Sequence, residues 1–188
     1  MMCDDISEYL LNWVAHIIQK PERKTETAVV WYSDIEGIGK NCFIEVLQKL
    51  FDGYYTKIKS IEDLAQNFNS DLMNKLFVFG DEIQARVRNL ADDLKNAITQ
   101  KIQKIEFKGK EKIQLNDFSN FMFTTNNELV FKISDTDRRF CMIECPTKLK
   151  TKKYYTDVYN KVVNNEESLK QIFNYFKSKD LSKYDPRD

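Results

Sequence analysis

The stretch Val29-Val30-Trp31-Tyr32-Ser33-Asp34-Ile35-Glu36-Gly37-Ile38-Gly39-Lys40-Asn41 constrains the fold more than any other part of the chain. It reads as a buried strand, a glycine-bearing turn and the start of a helix whose inner face carries Phe43, Val46, Leu47, Leu50 and Phe51. A strand that turns directly into an amphipathic helix has to bury both, and an α/β layer structure with a largely parallel sheet does so. The glycines are scarce. Average usage of about 7% would supply roughly thirteen, and the chain has five, at 37, 39, 53, 80 and 109. A chain this sparing with glycine is expected to use it where the backbone needs positive φ or must approach a ligand closely.

In a strand–loop–helix of this kind, backbone N–H groups and the helix N-terminus point at a bound anion. Compared with the phosphate-loop pattern G-x-x-x-x-G-K-[ST], Ser33 stands at the first glycine, and Glu36, Gly37, Ile38 and Gly39 complete the loop. Lys40 would reach the β- and γ-phosphates. Asn41 replaces the hydroxyl residue that ligates magnesium, and Cys42 follows it. An amide oxygen is also able to ligate magnesium, so Asn41 is kept as a metal candidate. A dinucleotide fingerprint fits less well, because Cys42 falls where the third small residue belongs. An ordinary glycine turn is the plain alternative.

Three more segments add chemistry. Leu76–Phe79 is a second apolar run followed by Gly80, Asp81 and Glu82. Acids at the carboxyl end of a strand beside a phosphate loop are placed to hold magnesium (Asp81) and to polarise an attacking water (Glu82). Acids in the first turn of a helix would look the same. Phe121–Thr125 is a third such strand and ends in Asn126 and Asn127, either a γ-phosphate contact or simple turn chemistry. Asp137-Arg138-Arg139-Phe140 sets two of the six arginines side by side before a fourth strand, Phe140–Glu144. Guanidinium forks bind phosphate bidentately, and a surface Asp–Arg pair is the plain reading.

Elsewhere, residues 6–20 carry an apolar rhythm of 3.6 that ends near Pro21, and Ser60 with Asp63 resembles a capping box opening a helix to about Phe68. Val87 to Ile102 reads as helix, Ile105–Phe107 and Ile113–Leu115 as a hairpin with a Lys-Gly-Lys tip, and 151–177 as one or two closing helices. No linker or repeat divides the chain, so a single domain is expected over 1–188, with its motifs in about 25–145. No apolar run approaches the ~20 residues of a membrane span. The acidic N-terminus is unlike a secretory leader, so a soluble intracellular protein is expected. Cys3, Cys42, Cys141 and Cys145 lack CxxC spacing and His16 stands alone, which argues against structural zinc. The cysteines read as small hydrophobes, with Cys141 and Cys145 on one strand face. The 29 basic and 29 acidic residues balance, yet 1–36 carries seven acids against three bases and 101–153 twelve bases against seven acids. That basic zone fits a polyanion partner or a solvated lysine surface.

Taken in order, Gly37-Ile38-Gly39-Lys40-Asn41, Phe79-Gly80-Asp81-Glu82, Lys108-Gly109-Lys110, Thr124-Thr125-Asn126-Asn127 and Asp137-Arg138-Arg139-Phe140 resemble the superfamily 3 helicase domain of viral and phage primase–helicases of the D5-like kind. The resemblance implies an AAA+-like P-loop NTPase core that uses ATP and Mg²⁺, assembles into a ring, commonly a hexamer, and moves on single-stranded DNA. It also implies a neighbouring primase domain or other replication proteins as partners. Carried over, Lys40 becomes the phosphate-loop lysine, Asp81 and Glu82 the second acidic motif, and Asn126 the sensor. Lys108, Gly109 and Lys110 become the DNA-contacting hairpin, flanked by Phe107 as a stacking face. One of Arg138 and Arg139 becomes the finger acting across the subunit boundary. The alternatives are a nucleotide-holding DNA-binding module without efficient turnover and, more remotely, a small-molecule kinase.

Overall fold

The computed structural model describes residues 3–35, 37–65, 69–81, 88–109, 111–125, 137–145 and 149–187. Helix α1 (Cys3–Gln19) leads to strand β1 (Ala28–Tyr32), α2 (Lys40–Leu50), β2 (Tyr55–Ile58), the single turn α3 (Glu62–Ala65) and β3 (Phe77–Gly80). Helix α4 (Arg88–Thr99) and the antiparallel pair β4 (Ile102–Ile105) and β5 (Ile113–Asn116) follow. The chain returns through β6 (Asn120–Thr125) and β7 (Phe140–Glu144), and closes with α5 (Lys152–Val158), a π-helical turn over Tyr159–Val163 and α6 (Glu166–Ser178).

The main sheet runs β2-β3-β6-β1-β7 with every pairing parallel. Its strands alternate sides as the pleat requires. Ala28, Val30, Val78, Phe121 and Phe123 face a core shared with α4, Ile58 and Ile61. Val29, Phe77, Phe79 and Met122 face the other, where α1, α2 and α6 supply Trp13, Ile17, Leu47 and Phe176. Helices therefore cover both faces, and the α/β expectation holds.

Three expectations need correction. Strand β2 is not evident in the sequence: Tyr-Thr-Lys-Ile is four residues on a sheet edge, half-exposed, and lacks the apolar signature of the inner strands. The helix ending at Thr99 stops short of Ile102, which opens β4 rather than closing a helix, and Phe107 lies past that strand. Finally, β7 ends at Glu144, one residue short of Cys145, whose N–H still donates to the Tyr32 carbonyl of β1 at 2.8 Å. The Ser60/Asp63 box is real in part, with the Asp63 carboxylate accepting the N–H groups of Lys59 (2.8 Å) and Ser60 (3.1 Å). His16 is buried, bonded to the Arg23 carbonyl at 3.1 Å, and kept neutral-leaning by burial. Among the described residues no helix is long and apolar enough to cross a membrane.

A buried charge pair joins distant parts. Lys24 Nζ, 5% exposed, donates to Asp117 Oδ2 (2.8 Å) and to the Ala97 carbonyl (2.6 Å), while Asp117, 1% exposed, also accepts from Ser119 N (2.9 Å) and Oγ (2.5 Å). It fastens the approach to β1 onto the end of α4 and the link from the hairpin to β6.

Candidate functional site

Strands β1, β3 and β6 lie side by side in parallel, so their carboxyl ends open on one edge. Tyr32 is in register with Thr125, and Gly80 with Phe123. Beyond β1 the chain turns at Ser33, which is 2% exposed, and whose hydroxyl accepts the Ile35 N–H (3.1 Å) and donates to the Ile35 carbonyl (2.7 Å). That hydroxyl holds the turn's own backbone. Gly37 (φ 76°) and Gly39 (φ 97°) are both left-handed, which a side chain would strain, and Gly39 caps α2. No side chain caps this eleven-residue helix and its first turn carries no acid. An anion would therefore meet first-turn N–H groups and the positive end of the helix dipole without a competing carboxylate.

Asp81 sits immediately past β3. Its carboxylate accepts Lys57 Nζ from β2 at 2.9 Å and Thr124 Oγ1 from β6 at 2.7 Å. Burial alone would raise this carboxyl, but the hydrogen bonds from Lys57 and Thr124, with the charges of Lys57 and Lys40, hold it below the ordinary carboxylate range. Gly37, Ile38, Gly39, Lys40, Asn41, Cys42, Asp81 and Thr124 line one cavity of about 370 Å³, completed by Tyr155 and Tyr159 of the C-terminal segment. Its size falls in the ~300–1,000 Å³ usual for small-ligand sites. An apolar hollow of about 540 Å³ between Ile17, Leu50, Tyr54 and Phe173 is roomier, but Tyr54, Leu76 and Phe118 of its lining precede β2, β3 and β6, so it lies at the amino ends of the strands, opposite the edge that carries the glycine loop and Asp81.

The structure thus brings together Gly37 to Cys42 and Asp81 as expected. Glu36, Glu82, Asn126 and Lys110 lie outside the described residues. Lys57, Thr124's bond to Asp81, and both tyrosines were not predicted. Lys57 belongs to the strand that lacks a sequence signal, and Tyr155 and Tyr159 sit more than a hundred residues from the loop. Their one visible mark is the spacing of four, which puts both on one helix face. Asp81 and Asn41 supply hard oxygen donors of the type magnesium accepts alongside phosphates and water. No cluster of three His, Cys, Asp or Glu among the described residues would hold a metal unaided.

Arg138 and Arg139 do not enter this cavity. Arg139 precedes β7, and its carbonyl accepts the Ala28 N–H at the start of β1, so the pair lies at the amino edge of the sheet, about 15 Å along a five-residue strand from the loop. Arg139 forks onto Asp137 (Nε to Oδ1 2.7 Å, Nη2 to Oδ2 2.8 Å), and Lys95 Nζ adds a contact at 3.4 Å. That fork, above all, pulls the Asp137 carboxyl down to about 2. Arg138 is exposed.

At the hairpin, Lys108 and Gly109 (φ 73°) are exposed on the tip, and Lys112 pairs with Glu106 at 2.6 Å. Phe107 is half-buried, packed against the core on the α4 side of the sheet. The second lysine group, Lys150, Lys152 and Lys153, is exposed on the segment that crosses the phosphate-loop region, where Leu149 comes within 4.0 Å of a Cβ built on Gly37. Cys42 is buried and Cys141 half-buried, and burial pushes the Cys141 thiol up to about 11, so both behave as hydrophobes.

The chain is 32% identical over 165 residues to a DNA primase-polymerase of Nitratiruptor phage NrS-1, spanning 85% of this chain and 23% of that protein. It therefore corresponds to under a quarter of that relative's length. A structure of the NrS-1 C-terminal region superposes with a TM-score of 0.71 at 27% identity, over 93% of this chain and 40% of that one. A Cytophaga hutchinsonii protein assigned as an ATPase shares the fold, with a TM-score of 0.52 at 16% identity over 91% of this chain and 60% of its own. A family model described as a family of unknown function, DUF5906, matches residues 31–139, from β1 through Arg139 and more than half of the chain. The chain belongs to the DUF5906 family and is related to the C-terminal region of a phage replication protein.

Proposed function

We propose that this chain is the ATP-hydrolysing motor of a ring-forming DNA helicase or translocase within a phage-type replication protein, of the superfamily 3, AAA+-like kind. The observation that carries this reading is the meeting of a helix start without a side-chain cap, its two left-handed glycines, Lys40 and an ionised Asp81 in one cavity at the carboxyl ends of β1, β3 and β6. The relationship to a phage DNA primase-polymerase supports a replication setting, with a primase domain as neighbour and single-stranded DNA as track.

Backbone N–H groups of residues 37–41 hold the phosphates and Lys40 neutralises them. Asp81 and Asn41 would hold magnesium, which would supply neutralisation of the phosphate charge. Glu82 polarises the attacking water and Asn126 orients it. Lys108, Gly109 and Lys110 meet the DNA backbone. Of the two arginines, Arg138 is the better finger, because Arg139's fork is filled by Asp137.

ATPase rate measured against protein concentration, with and without single-stranded DNA, tests nucleotide, assembly and DNA together. The rate per protomer should rise with concentration and with DNA, and Lys40→Ala should remove it. Hydrolysis unchanged in Lys40→Ala would sink the proposal. One observation favours a second reading, a module that holds nucleotide without turnover: Asp81 already has both oxygens engaged by Lys57 and Thr124. DNA binding with no turnover at any concentration would select it.

A further inference from the structure

The cavity has two chemically different ends. Its polar side chains are those of Lys40, Asn41, Asp81 and Thr124, from the helix start and the strand ends. Its aromatic ones come from one face of the C-terminal segment. Tyr155 lies in α5, and Tyr159 opens the π-helical turn that follows. Turns of this kind recur at functional sites because the extra residue re-aims a side chain.

Both rings are fixed in place. The Tyr155 ring edge would stand 3.0 Å from a Cβ on Gly39, so it packs on the phosphate loop itself. Its hydroxyl accepts the Lys150 N–H at 3.3 Å, and Tyr154 stands nearly perpendicular to it at 5.5 Å. Tyr159 donates to Glu45 on α2 at 2.9 Å, and burial together with that carboxylate pushes its hydroxyl up to about 12. The Tyr159 hydroxyl is committed to Glu45, while the Tyr155 hydroxyl accepts from Lys150 and keeps its own proton in the plane of the ring, so towards the cavity the tyrosines present chiefly ring surface. Ile38 and Cys42, the other non-glycine residues lining the cavity, add only apolar surface.

Resting on the nucleotide reading above, we infer that Tyr155, backed by Tyr159, is the platform on which the base of the bound nucleotide stacks, so that the site selects purines over pyrimidines by stacking area and separates adenine from guanine weakly. A flat aromatic face receives any base, and the larger ring system gains more. Stacking on a protein aromatic is worth about 1–3 kcal/mol per base, a factor of roughly 5 to 150 in affinity. Strong discrimination between adenine and guanine requires polar groups aimed at the base edge, and among the described residues the one uncommitted donor at this end of the cavity is the Tyr155 hydroxyl, which lies in the plane of the stacking ring rather than opposite the edge of a base stacked on it.

The test is calorimetric binding of the non-hydrolysable imido analogues of ATP, GTP, CTP and UTP, and of inorganic tripolyphosphate, to the wild-type chain and to Tyr155→Leu and Tyr155→Phe. The purine analogues should bind about tenfold more tightly than the pyrimidine ones, and ATP and GTP analogues within about threefold of each other. Tyr155→Leu should lose about tenfold for purines while tripolyphosphate binding changes less than twofold, and Tyr155→Phe should retain the purine preference. An equal loss for tripolyphosphate and purines would mean that Tyr155 merely supports the loop, and the inference would fall. Unchanged purine affinity in Tyr155→Leu, or tenfold discrimination between ATP and GTP analogues, would overturn it as well. Wild-type protein that binds neither nucleotide nor tripolyphosphate would defeat the nucleotide reading itself. Melting curves for each variant check that the fold is kept.

Discussion

At Gly39 two demands coincide on one residue. Its φ of 97° lies where an L side chain is strained, and a Cβ there would meet the Tyr155 ring at 3.0 Å. Gly39→Ala should therefore destabilise by about 1–2 kcal/mol from the backbone alone and weaken nucleotide binding further, because either the ring or the loop must shift. Thermal melting and binding of the imido ATP analogue read the two effects separately. Lys57→Met removes the only cation among the described residues that donates to Asp81, and should change the magnesium dependence of nucleotide binding more than the melting temperature, since Lys57 is half-exposed. An unchanged magnesium midpoint would contradict a role for Lys57 at the site. Asp137 carries a pH prediction. Its folded value of about 2 lies below the ordinary 3.8, so its contribution is fully present above about pH 4 and disappears as pH falls towards 2. Asp137→Asn should flatten the acid limb of the stability curve in that window. The residues that could be read in advance were those whose chemistry is local. Gly37, Gly39, Lys40 and Asp81 announce themselves by type and spacing, whereas Lys57 and Tyr155 reach the cavity by tertiary packing that no short window contains.

The elements divide along the same line. Strands β1, β3 and β6 are sandwiched between helix layers and read as apolar runs, so the sequence reveals them. Strand β2 is a short, half-exposed edge whose Lys57 and Thr56 break any apolar run, and pairing with β3 decides its state. In the hairpin, Ile102 and Ile105 are three apart and suit a helix face, but the pairing of Ile105 with Ile113 and the inward turn of Gln103 override that period. What anchors the hairpin is the Lys24–Asp117 pair. Lys24→Met leaves Asp117 buried without its cation, and such breaks typically cost about 3–5 kcal/mol. The bonds from Ser119 should keep this one near the lower figure. Urea unfolding should show the loss, and Lys24→Met/Asp117→Leu should recover part of it. If the double variant is no better than the single, the stranded charge is not the cause.

For the whole molecule, the proposed division of labour between subunits makes a mixing prediction. Arg138→Ala and Lys40→Ala proteins should each be inactive, yet their mixture should regain ATPase, because some boundaries then pair an intact loop with an intact arginine. Arg139→Ala should instead lower the melting temperature by leaving Asp137 only its 3.4 Å contact with Lys95, whereas Arg138→Ala, on an exposed side chain, should not. A mixture as inactive as its components would argue against shared sites. The sheet itself has a consequence for how copies can meet. Its strands all run one way, with the loop and Asp81 on the carboxyl edge and Arg138 on the amino edge. Copies that complete one another's sites must therefore stack head to tail, each lending one edge and receiving at the other. Such heterologous contacts close into a circle when the rotation per copy divides it evenly and otherwise grow into an open filament. Either product inherits a single sense of direction from the strands within one chain, an arrow that no subunit can reverse without leaving its neighbour's cavity unfinished.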